Sequence, residues 1–77
     1  MNAALAGGTS NTDPLTQRER EVMQLIAEGK SNKEVAQQLA LSVKTVESHR
    51  RNLMVKLGIH ETAGIVRHAM KIGLIQL

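Results

Sequence analysis

An all-α fold, a compact bundle of four helices, is what this 77-residue chain predicts. Three observations point there. Successive segments open on a serine or threonine suited to cap a helix, the apolar residues inside them recur at helical spacing, and glycines stand where three of the segments stop. Residues 1–13 are set apart, since Gly7-Gly8-Thr9-Ser10-Asn11-Thr12 has no apolar periodicity. A flexible linker or tail is expected there, ending near Asp13-Pro14, with Leu5 alone too little to dock it. The helical domain is expected over residues 14–77.

The first helix starts at Thr16, with Glu19 completing a T-x-x-E capping box, and carries Val22, Met23, Leu25 and Ile26 to a stop at Gly29. Leu15, just before the cap, is placed to staple onto it. The second helix opens on Ser31 with Glu34 in the same box arrangement, and the third on Ser42. Only Leu39 to Leu41 are left to turn the chain between these two, which makes the pair a helix-turn-helix. Val35, Leu39, Leu41 and Val46 supply its apolar contacts, and Ala36 the small residue that lets two helices cross. Ala40 holds the turn position where glycine is frequent, and a left-handed backbone costs alanine more than glycine.

The third helix ends at Gly58, and a fourth begins around Glu61. Gly64 lies in its first turns, at a cost of roughly 1 kcal/mol relative to alanine, so this helix is the least secure of the four. Its apolar residues Ile65, Val66, Ala69, Met70 and Ile72 cannot all point one way at about 100° per residue. Two readings of the surplus stay open. Either the tail Leu74-Ile75-Gln76-Leu77 packs over it, or Ile65, Val66, Ala69 and Met70 form a dimer interface.

The third helix carries the functional signal. With Val46 taken as the core direction, Val43, Arg50, Leu53, Met54 and Leu57 fall within about 80° of it, and Lys44, Glu47, Ser48, Arg51 and Val55 cluster on the opposite arc. Four of those five outward residues can hydrogen-bond a base edge or a phosphate. Thr45, His49, Asn52 and Lys56 lie on one flank, placed for phosphate contacts. Arg50 sits toward the core, where its stem can pack and its guanidinium reach the other flank.

The net charge of +3 is focused on that helix. Residues 42–57 carry Lys44, Arg50, Arg51 and Lys56 against Glu47 alone, whereas residues 15–28 carry Arg18 and Arg20 against Glu19, Glu21 and Glu28. A polyanion is the natural partner of such a patch, and a polar helix in the second position of a helix-turn-helix is how proteins enter the major groove. Double-stranded DNA is therefore the expected partner. The alternative is a protein-interaction or anti-regulator module that keeps the bundle and turns the basic face to an acidic protein.

Other classes find no support in the residues. The chain has no cysteine, and His49, His60 and His68 include no i, i+4 pair, so neither a disulfide framework, a metal site nor a bound cofactor is expected. Ser48 and His49 are neighbours on a helix and point about 100° apart, which rules out a catalytic dyad. No phosphate-binding glycine loop or paired-carboxylate cleft is present, so no enzyme is expected. No apolar run approaches the ~20 residues of a membrane span, and Met1 to Gly8 lacks the basic start of a secretory signal. A soluble cytoplasmic protein, held at the nucleoid by DNA, follows as the expectation. With no aromatic residue the core must be built from Leu, Ile, Val, Ala and Met, and its stability should be modest.

Four stretches together resemble one known family: Leu15-Thr16-Gln17-Arg18-Glu19-Arg20-Glu21-Val22, Gly29-Lys30-Ser31-Asn32-Lys33-Glu34-Val35-Ala36, Leu41-Ser42-Val43-Lys44-Thr45-Val46-Glu47-Ser48-His49, and Lys56-Leu57-Gly58. They are similar to the LuxR-type DNA-binding domain of the LuxR/FixJ/NarL transcription regulators, over residues 14–77. The resemblance implies a four-helix bundle whose third helix enters the major groove and whose fourth makes a symmetric dimer contact on DNA. It puts base reading on Lys44, Glu47, Ser48 and Arg51. It further implies that residues 1–13 end a linker from a receiver or ligand-binding domain, that the chain is the output domain of a two-component response regulator, and that RNA polymerase is a further partner. Glu61-Thr62-Ala63-Gly64 departs from the Arg-Thr-Glu-Ala type of start that many members have at the fourth helix.

Overall fold

The computed structural model describes residues 14–76, which form α1 (Gln17–Ala27), α2 (Asn32–Leu39), α3 (Val43–Leu57) and α4 (Thr62–Lys71). The linker expected over 1–13, and Leu77 of the tail, lie outside the described residues. Three of the helices start where their capping residues stand. Thr16 Oγ1 accepts from the Glu19 N–H at 3.1 Å while Glu19 Oε1 accepts from the Thr16 N–H at 3.0 Å. Ser31 and Glu34 repeat the exchange at 3.1 and 2.8 Å, and Ser42 Oγ accepts from the Thr45 N–H at 3.0 Å. These bonds satisfy amide donors that the first turn of a helix leaves without partners. Glu61, at the head of α4, makes no such side-chain bond.

All four helices end alike. A residue in the left-handed region is followed by an N–H that reaches five residues back: Lys30 to the Leu25 carbonyl at 3.0 Å, Leu41 to Ala36 at 2.9 Å, Ile59 to Met54 at 2.9 Å, and Leu74 to Ala69 at 2.8 Å. Leu41, Ile59 and Leu74 then fold back onto the core. The left-handed residue is glycine in three cases and Ala40, at φ 58°, in the fourth. That is the turn of the helix-turn-helix, so the strain expected for alanine is present there.

The interior is aliphatic, as the composition requires. Val22, Met23 and Ile26 of α1, Val35 and Ala36 of α2, Val46 and Leu53 of α3, and Ile65 and Ala69 of α4 are buried, with Leu15 closing one end. α1 packs against the other three helices, and α2 crosses α3. Val43 departs from its expected inward position. It is the first residue of α3 and 39% exposed, since the end of a helix is covered less than its middle.

α4 carries two further corrections. Ile65 and Ala69, read as candidates for a dimer interface, are fully buried and can touch no second molecule. They are the stripe that attaches α4 to α1, and only Val66 and Met70 of the four candidates keep exposed surface. Gly64, read as a weakness, has a packing reason. A Cβ built there would lie 2.8 Å from Ile59 Cγ2, so glycine lets the α3–α4 turn press its isoleucine against α4.

The strain at Ala40 yields a direct test. Ala40→Gly removes a left-handed alanine costing about 1–2 kcal/mol and adds unfolded-state entropy worth about 0.4–1 kcal/mol, so it should stabilise the domain by about 0.5–1 kcal/mol. Urea denaturation should show a higher midpoint with an unchanged slope, and a lower midpoint would refute this account of the turn.

Candidate nucleic-acid interface

α3 serves the core and the surface at once, and its polar residues divide between the two. Lys56 Nζ donates to Glu19 Oε1 at 2.7 Å. Glu19 is 3% exposed, and the oxygen that takes this bond also closes the cap of α1. Burial pushes the Glu19 carboxyl up, but the Lys56 ammonium and the Thr16 amide oppose it, with a smaller contribution from His49, and the net result lies below the ordinary value. Arg50 makes the second internal tie. One end of its guanidinium donates to Asn32 Oδ1 at 3.0 Å, and the other to Thr62 Oγ1. Asn32 and Thr62 are the first residues of α2 and α4, so a single side chain fastens two helix starts to α3.

These bonds add partners that the sequence did not show at two positions. Arg50 and Lys56, expected to meet DNA, also hold residues of the domain itself, 18 and 37 positions away in the chain, and the Lys56 side chain stays 36% exposed. Helical geometry gives the direction of a side chain but not what another helix brings to meet it. Thr45, on the expected phosphate flank, is half-buried and its Oγ1 accepts from Ser42 Oγ at 2.8 Å. His49 is half-buried as well.

The remaining candidates stay available. Lys44, Glu47, Arg51 and Asn52 are exposed and Ser48 is half-exposed, and among the described residues none of their side chains is held by a hydrogen bond or an ion pair. Lys44, Ser48 and Arg51 follow one another at i, i+4 and i+7, with Glu47 and Asn52 on either side, so the row runs along the helix away from the core. Val55 continues it and is 75% exposed. The sequence placed Val55 on this arc, but a side chain without a polar atom gave no signal of a site. A helix fixed by apolar and polar contacts on one side, with a line of unspent donors and acceptors on the other, is equipped to meet base edges and phosphates.

Comparison with known proteins gives the same architecture a family. The model of the bacterial regulatory proteins of the luxR family matches residues 13–69. The chain belongs to this family. It is 50% identical over 64 residues to the transcriptional regulatory protein MctR of Rhizobium johnstonii, covering 83% of this chain and 30% of that protein. It is equally similar over 64 residues to the uncharacterized response regulatory protein YgeK of Escherichia coli, with 83% and 44% covered, and 46% identical over 65 residues to the oxygen regulatory protein NreC of Staphylococcus aureus, with 80% and 30% covered. The chain therefore spans less than half the length of these relatives. The solution structure of the DNA-binding domain of the Erwinia amylovora RcsB protein shares the fold, with a TM-score of 0.74 at 24% identity over all of this chain and 97% of that one. The family is one of DNA-binding transcription regulators and not of enzymes. Among the described residues no helix is long and apolar enough to cross a membrane.

The Glu19–Lys56 tie sets a pH dependence. Because the folded-state pKa of Glu19 is depressed, its contribution is present above the ordinary value of 4.5 and is lost as pH falls through the lower folded value. Lys56→Met leaves the buried carboxylate without its cation and should cost about 1–3 kcal/mol at pH 7. Denaturation across pH should show that difference narrowing below pH 4.5. A gap that stays constant down to pH 3 would mean that the loss does not come from the charge of Glu19.

Proposed function

We propose that this chain is the sequence-specific DNA-binding output domain of a bacterial transcription regulator, the C-terminal part of a two-component response regulator acting in the cytoplasm. The observation that carries it is the row of unpaired polar side chains on α3, held outward by a helix whose other side is anchored to all three neighbours. α3 lies in the major groove of a promoter half-site, where Lys44 and Arg51 donate, Glu47 accepts from a cytosine amino group, and Ser48 does either. Asn52, Thr45 and His49 lie toward the phosphates. The length of the relatives supports a larger parent protein, and the family resemblance is what suggests a signal-receiving part before residue 14. RNA polymerase is the partner through which such a regulator acts on transcription.

Two copies pair on DNA through the flank of α4 that carries Val66 and Met70. One helix in one groove buries roughly 600–1,000 Å² of protein surface, so useful specificity calls for a second copy on a second half-site. Arg67 and Lys71 stand exposed beside the two apolar residues, and like charges brought together by a two-fold axis keep the pair weak until DNA assembles it.

Selection from randomised duplexes followed by footprinting tests the reading, and recovery of no preferred sequence would refute it. On the selected site, Arg51→Ala should cost about 1–3 kcal/mol and relax preference at one base position. An equal loss on specific and random duplexes would make Arg51 a phosphate contact instead. Met70→Glu should abolish cooperative binding to a two-half-site duplex while leaving single half-site binding and helical circular dichroism intact. Loss of the dichroism would assign Met70 to the core, and retained cooperativity would exclude this flank as the contact between copies.

A further inference from the structure

The most exposed large apolar side chain among the described residues is Val55, at 75%, on the helix that is otherwise polar on that side. Neither folding nor helix formation accounts for it. It makes no contribution to the buried core, and a β-branched residue at an exposed helical position is a poorer helix former than the lysine, glutamate or alanine that would serve there. Its place is what distinguishes it. Lys44, Ser48, Arg51 and Val55 stand at i, i+4, i+7 and i+11, so Val55 points the same way as the three polar residues and extends their row by one turn. Beside it, Met54 and Ile59 line an open hollow of about 550 Å³ whose remaining walls include Glu47, Arg51 and His60. The far end of the row is thus an apolar step, next to Arg51 and Glu47.

In the major groove a single chemical feature of the bases is apolar and projecting, the 5-methyl group of thymine, and apolar side chains read it by contact. We propose that Val55 is a specificity-determining residue that packs against a thymine methyl at the base step beyond the one Arg51 contacts. This rests on the reading of α3 as the helix in the major groove and goes beyond it by assigning a base, and a non-polar mode of recognition, to a residue without hydrogen-bonding atoms. Glu47 and Arg51 select by donors and acceptors. Val55 selects by shape and by removal of a methyl group from water, which makes cytosine and uracil at that position poorer partners by the same physical cause.

The test removes the methyl group from either side of the contact. Within the selected duplex each thymine is replaced in turn by uracil, which keeps base pairing and all polar edges and lacks only the 5-methyl group. With the unaltered domain, one such replacement should weaken binding about fourfold, which corresponds to the ~0.8 kcal/mol of one buried carbon group. Val55→Ser should lose the same factor on the thymine duplex, lose nothing further on the uracil duplex, and keep its helical circular dichroism because the side chain is exposed. Two individually harmful changes that do not add identify a direct contact. If every uracil replacement weakens the wild type and Val55→Ser by equal factors, or no replacement weakens the wild type, the proposal is overturned while sequence-specific binding still stands. If no preferred duplex is recovered at all, the reading of α3 falls, and the proposal with it.

Discussion

Glu19 is the point at which the parts of this domain meet. One carboxylate oxygen closes the cap of α1 and receives the ammonium of Lys56 from the last turn of α3. A buried charge is tolerated only when paired and hydrogen-bonded, and both conditions hold at 3% exposure. The consequence is geometric. α1 is the helix against which the others pack, so tying α3 to its first turn fixes how far α3 can roll about its own axis.

Arg50 completes that constraint from the other side. Its guanidinium is a rigid planar fork, and the two ends reach the opening residues of α2 and α4. One α3 side chain therefore adds a polar tie to both the crossing of the helix-turn-helix and the seat of α4, beside the apolar contacts that hold them. α4 lacks a side-chain cap of its own, and the bond from Arg50 to the Thr62 hydroxyl ties its first residue to α3 instead. With Val46 and Leu53 fully buried between these polar ties, the opposite side of α3 is presented in a fixed orientation. Pre-organisation of this kind favours recognition, because no ordering of the helix remains to be made on binding.

The bundle accepts local strain where the geometry of the motif demands it. Ala40 is left-handed at the turn because α2 must end and α3 begin within three residues, and the N–H of Leu41 must reach the Ala36 carbonyl. Gly64 loosens α4 intrinsically but admits Ile59, which closes the α3–α4 turn onto the core. Gly64 is thus explained by a close tertiary approach and Ala40 by the local geometry of the turn.

The sequence by itself determined the helices, their starts and their stops. Capping boxes and left-handed C-terminal residues are local, spanning at most six residues, so Thr16, Ser31, Ser42, Gly29, Gly58 and Gly73 announce them without knowledge of the fold. It also determined which side of α3 faces away from the core, since periodicity alone orients Lys44, Glu47, Ser48 and Arg51. Tertiary structure decided which of the remaining charges find partners on other helices. Lys56 meets Glu19 and Arg50 meets Asn32 and Thr62 only because separate helices are packed together, and no local pattern records a partner 37 residues away. It also decided that Ile65 and Ala69 belong to the core while Val66 and Met70 do not. An amphipathic stripe shows that one side of a helix is buried, but its width depends on how closely the neighbouring helix approaches, which only the packed structure sets.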